Sequence, residues 1–177
     1  MAINEVSATR RRADLAKLRE LQTRMPRALA ILGVTGDPVR SIKLRITIPT
    51  AKNGAYPQDR QEVHDVEIEF PESYPLSTNG PVVKFMTPIW NPNVFPSGQW
   101  CYGPWNVTEH LELFVTRLMK VIALDPAIIN PGSPANREAA NWFVRQHSQH
   151  PKLFPTVALS GFMAEAPKPS IGWRSIK

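Results

Sequence analysis

A chain of 177 residues, 42% hydrophobic and 20% charged, has the length of one domain with an extension and buries a sizeable core without staples. Its single cysteine, Cys101, excludes an internal disulfide and any zinc site built from paired cysteines, and it points to a reducing compartment. The net charge of +6 is uneven, because residues 10–27 carry seven basic residues (Arg10, Arg11, Arg12, Lys17, Arg19, Arg24 and Arg27) against Asp14 and Glu20, a local charge of +5.

Residues 7–25 read as an amphipathic helix, with Leu15, Leu18, Leu21 and Met25 at helical spacing and basic residues around the rest of the wheel. That basic surface suits an acidic protein partner or a nucleic-acid backbone, or it is the solvated face of a helix. It holds no aromatic residue on which a base would stack.

Four strand-like runs follow. Residues 28–34 are apolar and end at Gly36-Asp37-Pro38. Residues 41–48 alternate Ile42, Leu44, Ile46 and Ile48 against Lys43, Arg45 and Thr47. Residues 63–70 alternate Val66, Ile68 and Phe70 against Asp65, Glu67 and Glu69, and residues 82–86 form the fourth run. Period-two alternation buries one face and wets the other, as in an antiparallel meander. A basic outer face on the second strand and an acidic one on the third predict that the two are neighbours. The connection over 49–62 is expected to be long, polar and mobile.

Helical spacing returns after residue 105. Thr108 is the expected N-cap of a helix with Leu111, Phe114, Val115, Leu118, Val121 and Ile122 on its buried face, ended by Asp125-Pro126. A third helix is expected from Ser133-Pro134 through Ala139, Ala140, Phe143 and Val144 to about His147. The expected domain is therefore 1–150, with a proline-containing extension over 151–177 that packs locally or docks elsewhere. Helix, four-stranded meander, loop and two helices make an α+β fold with one sheet face covered.

The chemistry concentrates at Cys101. A free cysteine is commonly core filler. Here an extended run ends in Pro92-Asn93, Gly98 permits a tight bend three residues before the sulfur, and Trp100 and Tyr102 flank it, which is the pattern of a reactive loop. A cysteine hydrolase would require a base from His110, His147 or His150, but no protease motif accompanies them. These three, and His64 in a strand, read as surface or edge residues. A non-catalytic binding module on the same scaffold is the other alternative. No Gly-x-x-x-x-Gly-Lys-Ser/Thr loop or metal-binding motif occurs, so neither a bound nucleotide nor a metal is expected. The first residues carry no signal-peptide pattern and no run approaches a membrane span, so a cytoplasmic protein without membrane contact is expected.

Phe70-Pro71-Glu72-Ser73-Tyr74-Pro75, then Pro81-Val82-Val83-Lys84-Phe85, then Asn91-Pro92-Asn93-Val94 with Gly98 and Cys101, resembles the catalytic core of ubiquitin-conjugating enzymes. Trp105, Asp125-Pro126 and the run from Ser133 to Ala140 extend the resemblance, which covers residues 5–150 in element order. It implies that Cys101 carries ubiquitin or a ubiquitin-like protein as a thioester and passes it to a substrate lysine or another cysteine. Asn93 would be the asparagine that stabilises the oxyanion or holds the loop. Ser133 would stand near the position that orients and desolvates the incoming lysine. Arg10, Arg11, Arg12, Lys17 and Arg19 would meet the activating enzyme, and Leu76 a ligase. ATP would be consumed by the activating enzyme, leaving this chain without a cofactor. Partners would be the modifier, the activating enzyme, a protein substrate and in some settings a ligase; nucleic acid is not the expected partner, although binding of it through residues 10–27 could coexist with conjugation.

Three departures stand out. Asn91 replaces the family's usual histidine, which implies altered loop packing. Trp105 follows Cys101 at a shorter distance, and the Asp125–Ser133 loop is longer. They fit a divergent member, of the kind a bacterial conjugation system would carry.

Overall fold

The structure, a computed structural model, describes residues 5–164. It shows the expected α+β architecture. Helix α1 (Glu5–Arg24) leads into strands β1 (Leu29–Thr35), β2 (Ser41–Ala51), β3 (Arg60–Glu69) and β4 (Val82–Phe85), then helices α2 (Leu111–Ile122) and α3 (Arg137–Gln149). The strands form one antiparallel sheet in the order β1-β2-β3-β4. Ile42, Leu44, Ile46 and Ile48 of β2 and Val66 and Ile68 of β3 face the core, against Leu111, Phe114, Val115, Leu118 and Met119 of α2. On the outer face Arg45 opposes Asp65 and Lys43 opposes Glu67, as the complementary charges predict. Arg45 holds Asp65 with two hydrogen bonds of 2.8 and 2.9 Å. No helix among the described residues is long and apolar enough to cross a membrane.

Several sequence expectations are corrected. The connection between β2 and β3 shrinks to residues 52–59 and is fastened: Trp142 Nε1 donates to Gly54 O at 3.0 Å, and buried Tyr56 packs against Trp142 and Phe154. Helix α2 begins at Leu111 rather than after Thr108, whose hydroxyl instead bonds Asn106. The cap comes from another element, because the Asp14 carboxylate on α1 accepts the Leu111 N–H at 3.3 Å. Helix α3 begins at Arg137, with the Asn136 side chain accepting from the Ala139 N–H. Ala135 and Asn136 are diverted, both donating their N–H to Pro92 O. Val144 is exposed, and Trp142 buries in its place. In the extension, Phe154 is buried against Phe143, Thr156 N–H bonds Ala123 O, and Ala164 N–H bonds Arg24 O, so residues 151–164 pack on the domain. Residues 165–177 lie outside the described residues.

His64, expected at an edge, is fully buried, with Nε2 3.2 Å from Ile48 O and its ring edge-on to Phe85. Burial lowers its pKa to about 4, against the partial opposition of the backbone bond to Ile48. The folded protein therefore keeps His64 neutral where the unfolded chain, at the ordinary value near 6.5, begins to protonate it. This contribution is complete above pH 6.5 and is lost as pH falls from there through 4, by about 3 kcal/mol in all. Urea midpoints at pH 7.5 and 4.5 should thus diverge strongly in the wild type and less in His64→Gln. Equal divergence in both proteins would assign the acid sensitivity to other groups.

Candidate active site

Cys101 closes a short extended segment laid along β4. Gln99 bridges Lys84, Trp100 N–H donates to Val83 O at 2.9 Å, and Phe85 N–H donates to Gly98 O at 2.8 Å. Gly98 makes this possible. It has φ +88°, and a Cβ there would stand 2.6 Å from Phe85 O, so a side chain is excluded by both strain and space. Trp100 turns inward against Phe114, their ring centroids 4.9 Å apart, and Cys101 turns outward as an exposed free thiol.

The Cys101 N–H donates to Asn93 O at 2.8 Å. The Asn93 side chain accepts the Asn130 N–H at 3.1 Å through Oδ1. A backbone N–H only donates, so the bond fixes which end of the amide is oxygen. Among the described residues Nδ2 makes no hydrogen bond to protein. Asn91, two residues earlier, is fully buried. Its Nδ2 donates to Val121 O at 2.7 Å and its Oδ1 accepts the Asn93 N–H at 2.9 Å. The amide thus ties the loop before Cys101 to the end of α2 with one donor and one acceptor, and the resulting packing is well satisfied.

The Asp125–Ser133 loop reaches the same place. Asn130 bonds Asn93, and Ala135 and Asn136 bond Pro92 O at 2.8 and 3.1 Å. Ser133 lies exposed on this loop between those anchors. An open groove of about 580 Å³ flanks Cys101, walled by Thr78, Gly80, Val82, Phe95, Tyr102 and Trp105. Trp105, close behind Cys101, lies flat on Gly80, where a Cβ would meet its indole at 2.5 Å, and its Nε1 donates to Pro75 O at 2.9 Å. No histidine is among the groove's described walls. His110 bonds Asp14, and His147 stacks on Phe143.

The basic helix splits into two populations. Arg12 and Arg19 are exposed and Lys17 is half-exposed, 3.7 Å from Glu112. Arg11, expected to meet a partner, is only 2% exposed and is withdrawn from that set. Its guanidinium donates to Val39 O at 2.6 Å, Pro71 O at 2.5 Å and Glu72 O at 3.2 Å, joining α1 to the loop before β2 and the loop after β3. Arg10 is half-committed, with Nε on Asp14 and Nη1 and Nη2 on Val107 O and Glu109 O. Leu76 is highly exposed, next to Pro75, which lines a shallow apolar groove with Val6, Thr9 and Ala13 of α1.

Asp14 is the residue that sequence reasoning passed over. Fully buried, it accepts from Arg10 Nε (2.7 Å), Tyr74 Oη (2.5 Å), His110 Nδ1 (3.0 Å) and Leu111 N (3.3 Å). Burial and the adjacent carboxylate push the Tyr74 phenol upward, so it remains a donor. Asp14, His110 and Glu112 approach metal-ligand spacing. The Asp14 oxygens already accept four protein donors and Lys17 faces Glu112, so the group's chemistry is that of a hydrogen-bonded ion network. An acid inside a basic helical stretch was the available signal, since a buried carboxylate needs cations beside it.

A family model described as ubiquitin-conjugating enzyme matches residues 12–156. Ubiquitin-conjugating enzyme E2 2 of Saccharomyces cerevisiae is 36% identical over 89 residues, covering 48% of this chain and 48% of that protein. Its counterpart in Kluyveromyces lactis is also 36% identical over 89 residues, covering 48% of this chain and 51% of that protein. The chain spans about half the length of the curated relatives it matches. Among solved structures, S. cerevisiae Ubc12 superimposes with a TM-score of 0.58 at 20% identity, over 93% of this chain and 84% of that one, a likeness of fold alone.

Proposed function

The chain belongs to the ubiquitin-conjugating enzyme family, and on that premise we propose that Cys101 carries ubiquitin or a ubiquitin-like protein as a thioester. The observation that carries this reading is the placement of Cys101 itself. The only cysteine is exposed beside an open groove, with its backbone fastened to Asn93.

The thiolate attacks the modifier's C-terminal carbonyl carbon, held as a thioester on the activating enzyme. A new C–S bond forms, and the tetrahedral intermediate collapses by expelling the activating enzyme's thiolate. In the second step a substrate amine or another thiol attacks the same carbonyl. Cys101 leaves as thiolate, and the amine's proton passes to solvent. In this reading Asn93 Nδ2 donates to the oxyanion, and Ser133 borders the path of the incoming lysine. The activating enzyme uses the ATP, and this chain holds no cofactor. The reaction takes place in the cytoplasm, and residues 1–150 form the catalytic domain with 151–177 as its extension.

Intact mass without reductant tests the reading. The chain is mixed with ATP, an activating enzyme and its ubiquitin-like modifier. A gain of one modifier, reversed by added thiol, is expected. No gain across several cognate pairs, with the chain folded, would favour a binding module on this fold.

Exposed Arg12 and Arg19 and half-exposed Lys17 form the basic edge that an acidic patch of the activating enzyme would meet, with Leu76 and the adjoining apolar groove available to a ligase. Reversing all three to glutamate is expected to slow charging about tenfold at low salt, the deficit narrowing as salt rises. Stopped charging assays over a salt series check this. Equal rates at every salt would leave these side chains as solvated surface. Arg11 is excluded from the set, because reversing a buried cation unfolds the helix junction instead.

A further inference from the structure

We propose that Arg117 of α2 is a positioning residue for the reacting segment, an inference that rests on Cys101 being the reacting group. Its Nη1 donates to Tyr102 O at 3.0 Å, one residue beyond Cys101. Its Nε and Nη2 donate to the two oxygens of Glu109 at 3.1 and 2.7 Å, a two-point grip that fixes the plane of the guanidinium. Three rings enclose the cation: Trp100, Tyr102 and Phe114, at 5.3, 5.8 and 5.4 Å to their centroids. Glu109 is itself held from behind, because Arg10 of α1 donates to its carbonyl at 2.7 Å.

The short connection after Cys101 is what makes this bond matter. Among the described residues, no backbone N–H between Cys101 and Glu109 bonds another backbone carbonyl. Gly103 there has φ +79° and open space around it. Side chains hold the stretch instead: Tyr102 Oη donates to Pro81 O at 2.8 Å and Trp105 Nε1 to Pro75 O at 2.9 Å. Burial pushes the Tyr102 phenol up, so it stays a donor. Among the described residues, the main chain of 102–106 is gripped by a side chain only at Tyr102 O, by Arg117, while Arg10 takes Val107 O further along. Cys101 is then fixed on one side by its own N–H to Asn93 O, and on the other by the Tyr102 carbonyl on Arg117. Arginine is required because a lysine ammonium cannot hold a carboxylate at two points and a carbonyl in one plane.

The test uses the full chain, with Arg117→Lys, which keeps the charge and the stem, and Arg117→Met. Amide hydrogen exchange is measured at Cys101 and in the centre of β2 and β3, and discharge of the preloaded thioester to free lysine is followed by single turnover. Exchange at Cys101 is expected to rise about tenfold in both variants, with the central strands unchanged. Discharge should slow about 10- to 100-fold with the apparent KM for lysine unaltered. Unchanged exchange at Cys101 in both variants would overturn the proposal. So would a rise there matched by an equal rise in β2 and β3, which is global destabilisation. If the wild type never loads a modifier, the conjugation reading fails on its own, while the exchange comparison still decides whether Arg117 fixes the segment.

Discussion

Cys101→Ala is expected to reduce modifier loading to background, and Cys101→Ser to load slowly and retain the modifier as an ester that added thiol does not reverse. A hydroxyl is a far weaker nucleophile than a thiol at neutral pH, and an alkoxide is a poorer leaving group, so both formation and discharge slow. The side chain is exposed, so neither substitution should move stability by more than about 0.5 kcal/mol. Matched thermal midpoints would then assign the whole loss to chemistry. Non-reducing intact mass reads all three proteins, and normal loading of Cys101→Ala would place the modifier elsewhere on the chain and end the present reading.

Asn93→Ala is expected to slow transfer to lysine about 10²- to 10³-fold, the scale of one lost oxyanion donor, while loading falls by much less. Loading exchanges one thiolate for another and passes through a less demanding intermediate than amine attack. The amide has two separable uses: Oδ1 pins the Asp125–Ser133 loop through Asn130, and Nδ2 is the end without a protein partner among the described residues. Asn93→Asp separates them, because a carboxylate still accepts from Asn130 yet donates nothing and repels developing negative charge. Single-turnover discharge should be as slow in Asn93→Asp as in Asn93→Ala. Recovery of the rate in Asn93→Asp would reduce Asn93 to a loop anchor.

The sheet was legible because the aliphatic residues at the centre of β2 and β3 declare their face by the period of two. Ile42, Leu44, Ile46, Ile48, Val66 and Ile68 are all buried, and the outward charges meet in register. The buried face of α2 was equally plain, with Met119 as the addition. The first half of α1 was not. Its inner face buries Ser7, Arg11 and Asp14, and a pattern rule assigns charged residues to solvent. Arg11 and Asp14 read as surface until Val39, Pro71, Tyr74 and Leu111, distant in sequence, are seen to supply their partners. His64 and the 52–59 connection were misplaced for the same reason, since burial of a polar residue depends on which other segments close over it.

The sequence by itself determined the element order, the period and pairing of the strands, and the candidate nucleophile, because these follow from local spacing and from one cysteine set eight residues after Asn93 and three after a glycine. Only the tertiary structure decided which basic residues of α1 are exposed and which are buried, that Asp14 rather than Thr108 caps α2, and that Arg117 grips the chain beyond Cys101. Hydrogen bonds and ion pairs between segments 15 to 97 residues apart leave no period in the sequence, and a buried charge is stable only where the fold brings its partners within about 3 Å.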